Sequence, residues 1–599
     1  MKKKKNGGLI AVLIILSLLF FAILELSKNT LWGWAATALL IAVFAVFVPR
    51  VQKRLPRFLC FLALLLLFAL VLKATEPPYR AVPAVNVKNP ETTGIVAVRQ
   101  GELTGVYNED RSVEVYAGIP YAKPPVGELR WKEPQEPESW SGVRACNAFA
   151  PMSMQQRDPE LIASLKSIIG YHDFRISLDD NFREPVSEDS LYLNIWKPAG
   201  ELDKAPVIFF IHGGSLSTGQ PSYYAYRGES LAKKGVIVVN FAYRLNVFGY
   251  FASEELAAES PNGTTGNYGL LDQIAALRWV HENIASFGGD PDNITIAGES
   301  AGASSVNALC VSPLSEGLFR RAIAESSGIT PVEPYHTFRT MDEALETGAK
   351  ILTEQGVPSA AALRNIPAEQ LVQTSFANDS MTVDGYALTE QPYLTYERGA
   401  NHEEALLNGF NGREAEVFRL LQTVKAEDYS ETLRRLLGDE AERAAALYPA
   451  SSDKEATAQI NEILGVCWFA YSHYDWSRFL VGQGRPVYEY TFTRQNGGIS
   501  DWHSGEMIYA YGNLNVTPGN YGPADYELSE IMQSYWVNFA RCGDPNGEGL
   551  PLWPSCAEQP GKLLRFDSPV ELVDDPYPAL YALIDAYQET FREKTEETD

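Results

Sequence analysis

Six cysteines in 599 residues are too few to staple a fold with disulfides. Seven histidines, none grouped with cysteine at zinc-like spacing, offer no metal motif, so neither metal nor cofactor is expected. Basic residues are scarce: 50 Lys and Arg stand against 75 Asp and Glu, for a net charge of −25. They cluster only near the N-terminus, which excludes a nucleic-acid partner, because backbone phosphates are bound by basic patches. The chain has no internal repeat and no low-complexity segment, and its 11% aromatics and 36 prolines exclude disorder.

What is present divides sharply. Residues 1–80 carry a net +9 and residues 81–599 a net −34. Three apolar runs lie in the first part, giving expected spans at about 7–24, 31–48 and 55–73 within a membrane segment 1–75. About 20 residues cross the hydrocarbon layer, a length the first run meets well and the third only with Leu55 included. A cleaved signal peptide is the alternative for the first run, but no small-x-small site follows it, and three retained spans are expected. Lys2 to Lys5 precede span one, and Arg50, Lys53, Arg54 and Arg57 lie between spans two and three. The positive-inside rule puts both on the cytoplasmic side, which after three spans makes the protein multi-pass with an extracytoplasmic body. Residues 76–93 lack helical periodicity and read as an extended tether. A body over 94–590 follows, with a charged tail at 591–599.

In the body, buried-type runs alternate with helical stretches. Val207–Ile211, Val236–Asn240 and Asn293–Ala297 are continuous apolar or β-branched runs, and Leu270–Ile284 is helical in pattern. That alternation predicts an α/β fold with a mostly parallel central sheet flanked by helices. Gly298-Glu299-Ser300-Ala301-Gly302 follows the third run and precedes a helix-compatible stretch, the context a G-x-S-x-G nucleophile turn requires. Ser300 is therefore the candidate nucleophile. A serine hydroxyl needs a base oriented by an acid, in the order Ser, acid, His for this turn. Of the histidines after Ser300, which are His336, His402, His473 and His503, His473 lies in a helical stretch and reads as a packed side chain. His503 ends a Gly-rich loop, Gly497 to His503, after the strand Val487–Phe492, and is the candidate base. His212-Gly213-Gly214-Ser215 follows a buried strand, as an oxyanion loop should, with His212 itself read as structural.

These residues resemble the type-B carboxylesterase family, the α/β-hydrolase branch that includes cholinesterases. Gly118-Ile119-Pro120-Tyr121-Ala122, Glu188-Asp189-Ser190-Leu191-Tyr192-Leu193-Asn194, Phe287-Gly288-Gly289-Asp290-Pro291 and Gly543-Asp544-Pro545-Asn546 match its motifs, and the likeness spans 94 to about 570. The resemblance implies that Glu414 orients His503, with Glu416 as rival, since Gly409 to Phe418 aligns with the family's acid-bearing stretch. There Arg413 and Ala415 depart from the usual Asp and Gly. It also implies that Gly214, Ser215 and Ala301 donate oxyanion-hole N–H groups, and that Glu299 influences the electrostatics beside the nucleophile. Ser153 and Ser190 stand where family members often carry a disulfide, so that loop is expected to be held without one. The Trp over which cholinesterases hold a quaternary ammonium has no counterpart in Leu178-Asp179-Asp180-Asn181-Phe182, which argues against a choline ester. The expected function is a membrane-anchored serine ester hydrolase acting on a small-molecule ester and touching lipid through its spans. A non-catalytic adhesion module on the same fold is the alternative.

Overall fold

A computed structural model describes residues 7–51, 53–171, 181–329, 331, 335, 337–374, 381–496, 501–516 and 518–596. Lys2 to Lys5, His336, Gly497 to Ser500, Leu178 to Asp180 and the end of the charged tail lie outside them. The chain forms two compact units, one of residues 1–81 with 157–185 and one of 82–156 with 186–599.

The first unit contains helices α1 (Gly7–Leu26), α2 (Leu31–Phe47) and α3 (Arg54–Ala74). All three are long and apolar enough to cross a membrane. The third reaches 21 residues because the helix continues through charged residues at both ends. Leu9, Leu13, Phe20, Leu24, Leu64 and Phe68 pack inside, with the Phe20 and Phe68 rings stacked at 3.8 Å, whereas Ile14, Leu18, Leu39, Leu66 and Leu70 face outward. At one end the Asn29 amide donates to the Leu72 carbonyl (2.8 Å) and the Thr75 hydroxyl (2.9 Å), closing polar groups that apolar surroundings would leave unpaired. A fourth helix, α4 (Glu160–Tyr171), belongs to this unit. The sequence reading assigned its stretch to the body; the difference arises from contacts distant in sequence, such as the Ser164 hydroxyl donating to the Leu26 carbonyl at 2.8 Å.

The second unit is built on an eleven-stranded sheet. Its strands in chain order are β1 (Val106–Tyr107), β2 (Val113–Pro120), β3 (Tyr192–Pro198), β4 (Ala205–Ile211), β5 (Ile237–Phe241), β6 (Gly289–Glu299), β7 (Arg321–Glu325), β8 (Leu406–Asn411), β9 (Val487–Phe492), β10 (Lys562–Phe566) and β11 (Glu571–Asp574). Their spatial order is β11-β10-β9-β8-β7-β6-β4-β5-β3-β2-β1. The strands from β10 to β5 run parallel, with antiparallel pairs at both edges. Burial on both faces explains the uninterrupted apolar runs: Val207 to Ile211 and Ile237 to Val239 have no exposed surface. Helix α5 (Tyr268–Asn283) precedes β6, and α6 (Ala301–Val311) follows it at once.

Two polar ties hold the loops at the C-terminal ends of these strands. Ser153 and Ser190, both buried, hydrogen-bond to each other at 3.0 Å, and the Ser153 hydroxyl donates to the Tyr243 carbonyl at 2.6 Å. All six cysteines are free. Deeper, Arg244 forks onto Asp272 of α5 through Nε (2.8 Å) and Nη2 (2.8 Å), and its backbone N–H also donates to that carboxylate. Both side chains are buried, so removing one leaves a bare charge in the core, at a cost of about 3–5 kcal/mol. Arg244→Ala is expected to lower the unfolding free energy of the second unit by that much, read from a urea titration followed by tryptophan fluorescence; an unchanged unfolding free energy would contradict this role for the pair.

Candidate active site

The site begins where β6 runs out. Ser300 lies between Glu299 and Ala301 at φ 55° and ψ −128°, in the left-handed half of backbone space that non-glycine residues avoid. Neighbouring small residues make that sharp turn possible. A Cβ on Gly302 would strike the Ile211 carbonyl of β4, so α6 can start this close to the sheet only with glycine there. The Ser300 N–H donates to the Glu325 carbonyl at 2.9 Å, fastening the turn to β7.

The loop after β4 lies against this turn. A Cβ on Gly213 would come within 2.6 Å of the Glu299 carbonyl and 2.9 Å of the Ser300 Cβ. Beyond it, Gly214 (φ 107°), Ser215 (φ 52°) and Leu216 (φ 54°) turn in succession through left-handed backbone. Ser217 and Thr218 N–H groups donate to the Gly214 carbonyl, which closes the loop on itself. Ala301 sits at the first position of α6, where backbone N–H groups have no partner within the helix. His212 is buried and stacked on Tyr243 at 4.6 Å; burial lowers its pKa to about 4, consistent with a neutral packing role. His473 is likewise buried, and burial lowers it to about 3.

Glu414 and His503 meet. Glu414 follows β8, and its Oε2 lies 2.6 Å from His503 Nδ1 while its Oε1 accepts the Asn411 N–H at 2.7 Å. Glu416 starts a short 3₁₀ turn and has no such contact with His503. Arg413, one of the two departures from the family pattern, ties the two loops together. Its Nε donates to Asp501 at 2.7 Å, and its N–H donates to the Asp501 carbonyl at 2.9 Å. The ring of His503 is packed by Phe418 (5.0 Å) and Phe469 (4.6 Å). Phe469 comes from a π-helical stretch, Val466–Ala470, whose extra residue per turn re-aims side chains.

The far nitrogen of His503, Nε2, lies 3.3 Å from Glu299 Oε1 without a hydrogen-bond partner among the described residues. Glu299 in turn accepts from the Ser504 hydroxyl at 2.5 Å. Burial pulls the His503 pKa down, but the charges of Glu299 and Glu414 and the hydrogen bond to Glu414 outweigh it, and the net shift is upward. Two further buried carboxyls, Glu325 and Glu506, stand behind the turn, and sequence reasoning missed both. Burial, with a contribution from Glu299, raises Glu325 to about 8 although Trp536 donates to it at 2.9 Å. Burial and the neighbouring Glu299, Glu325 and Glu414 charges hold Glu506 well above the usual carboxylate range; the Asn411 amide donates to it. Nothing in their local sequence marks them: the cluster exists only because β7, β8 and the His503 loop converge. No group of His, Cys, Asp and Glu with metal-holding geometry occurs among the described residues.

A mostly parallel sheet with a strained serine turn between strand and helix defines an α/β-hydrolase. Residues 92–581 match the carboxylesterase family. The chain is 34% identical over 499 residues to the fumonisin B1 esterase of Sphingopyxis macrogoltabida, covering 79% of this chain and 87% of that protein. It is 32% identical over 518 residues to the para-nitrobenzyl esterase of Bacillus subtilis, covering 81% and 97%. The crystal structure of a Geobacillus stearothermophilus carboxylesterase is similar with a TM-score of 0.69 and 34% identity, over 82% of this chain and all of that one. The chain belongs to the carboxylesterase family and is an ester hydrolase acting on small-molecule esters.

A general base works only when neutral, so if His503 is that base, the acid limb of kcat/KM against pH should lie above the ordinary histidine value of 6.5. Glu299→Gln removes a charge that favours the imidazolium, and is expected to move that limb to lower pH. A limb that stays put or moves up would contradict the assignment of Glu299.

Proposed function

We propose that the chain is a membrane-anchored serine carboxylesterase working through an acyl-enzyme on Ser300. His503 takes the Ser300 proton as the hydroxyl attacks the ester carbonyl, then delivers it to the departing alkoxide. Glu414 holds Nδ1–H and stabilises the imidazolium, and the 2.6 Å contact between these two side chains is the observation that carries the reading. The N–H groups of Gly214, Ser215 and Ala301 stabilise the oxyanion; the left-handed loop and its approach to Ser300 support this. Water then attacks the acyl-enzyme with His503 again as base.

The first unit supports the anchor. Its outward apolar side chains at Ile14, Leu18, Leu39 and Leu66 need a partner as apolar as themselves, and three crossings put the second unit on the extracytoplasmic side by the distribution of basic residues.

On p-nitrophenyl esters, Ser300→Ala is expected to lower kcat by about ten-thousandfold or more. Glu414→Gln should lower it at least about a hundredfold and Glu416→Gln by less than about twofold; a larger loss in the Glu416 variant would reverse the assignment of the acid. In a membrane fraction the chain should resist alkaline carbonate extraction, and its release into the supernatant would contradict the anchor.

A further inference from the structure

The segment 157–185 leaves the second unit after Gln156, returns to it at Val186, and packs in between with the apolar bundle. Attachments of its described residues lie at one end of that bundle. The Ser164 hydroxyl of α4 donates to the carbonyl of Leu26, the last residue of α1, at 2.8 Å. The Arg183 N–H donates to the Pro78 carbonyl (2.8 Å), and the Arg80 N–H donates to the Arg183 carbonyl (2.9 Å). The Arg183 guanidinium lies 3.4 Å from Glu76 and 3.4 Å from Glu160, which starts α4.

That end of the bundle has the chemistry of a membrane surface. Glu25 pairs with Lys28 at 3.2 Å and Lys73 with Glu76 at 3.1 Å, forming a charged collar where α1 ends and α3 ends. Trp32, at the start of α2, is 76% exposed at the same level. An exposed indole between an apolar span and a charged collar is the usual marker of the headgroup region.

Helix α4 sits at this level with two kinds of surface. Leu161, Ser164 and Ile168 are half-buried at helical spacing, while Ile162 and Leu165, three residues apart, are exposed to 40% and 37%. Lys166 beside them is exposed and pairs with Asp158 at 2.7 Å. Among the described residues Ile162 and Leu165 keep this much apolar surface exposed, and Leu31 at the start of α2 is exposed as well. A short amphipathic helix fixed at headgroup level gains most by laying its apolar side into the acyl boundary.

We propose that α4 is an interfacial helix, with Ile162 and Leu165 inserted into the leaflet from which α1 and α3 emerge, and the lipid surface as its partner. This rests on the membrane-anchored reading given above. The segment joins the second unit at Gln156. Gln155, two residues before the segment begins, donates to the Gly219 carbonyl at 2.7 Å and accepts the Gly219 N–H at 3.0 Å, clasping the end of the loop that carries Gly214 and Ser215.

The test places single nitroxide labels on the full chain in phosphatidylcholine vesicles containing a minor share of phosphatidylglycerol. Cys60, Cys542 and Cys556 are first replaced by serine, and labels are attached through Ile162→Cys, Leu165→Cys, Lys166→Cys and, as a mid-span reference, Leu66→Cys. Retained hydrolysis of p-nitrophenyl acetate identifies each labelled protein as folded. At 162 and 165 the ratio of oxygen to nickel-chelate relaxation should exceed that at 166 by at least about threefold and approach that at 66. A lipid-like ratio at 66 with water-like ratios at 162 and 165 overturns the interfacial helix and leaves the anchor standing. A water-like ratio at 66 overturns the anchor and the interfacial helix with it.

Discussion

Holding Ser300 at φ 55° and ψ −128° costs roughly 1–3 kcal/mol, and the surroundings must make every alternative worse. They do so through close approach. Gly302 has no room for a side chain under the Ile211 carbonyl, Gly213 has none beside Glu299, and the Ser300 N–H is committed to the Glu325 carbonyl. Relaxing the turn would pull α6 away from β4 and β7. The sheet keeps the turn tight, and the turn keeps the hydroxyl clear of the sheet.

The electrostatics follow from the same crowding. Strands β6, β7 and β8 end side by side, and so Glu299, Glu325 and Glu414 end side by side as well, with Glu506 from the following loop among them. Four carboxyls in a buried space cannot all be charged, and burial pushes Glu325 and Glu506 toward the neutral form. Among the described residues, the His503 imidazolium is the cation that contacts Glu299 and Glu414. Its two ring nitrogens face Glu414 and Glu299, so a positive charge on the ring would lie between these two carboxyl groups.

Much of this was legible in the chain. Buried parallel strands must be apolar on both faces, so β4, β5 and the end of β6 were readable as continuous runs, and β9 spans Val487–Phe492 as expected. Ser300 was legible because its turn needs small residues at fixed offsets. His503 followed from chain order and from its place after a strand. Glu414 came only with the family resemblance, because a single acid beside another at 416 has no local mark. The Arg413–Asp501 tie, Glu325 and Glu506 were hidden for a related reason: their partners lie tens of residues away. The same holds for 157–185, whose contacts with the apolar bundle include a hydroxyl meeting a carbonyl 138 positions earlier.

The central claim is that one serine carries the acyl group. Labelling the active protein with a fluorophosphonate and mapping the adduct by mass spectrometry of its peptides tests that directly. The account predicts a single stoichiometric adduct on Ser300, with ester hydrolysis lost in proportion to labelling. An adduct on another residue, or full hydrolysis after Ser300 is modified, would contradict it.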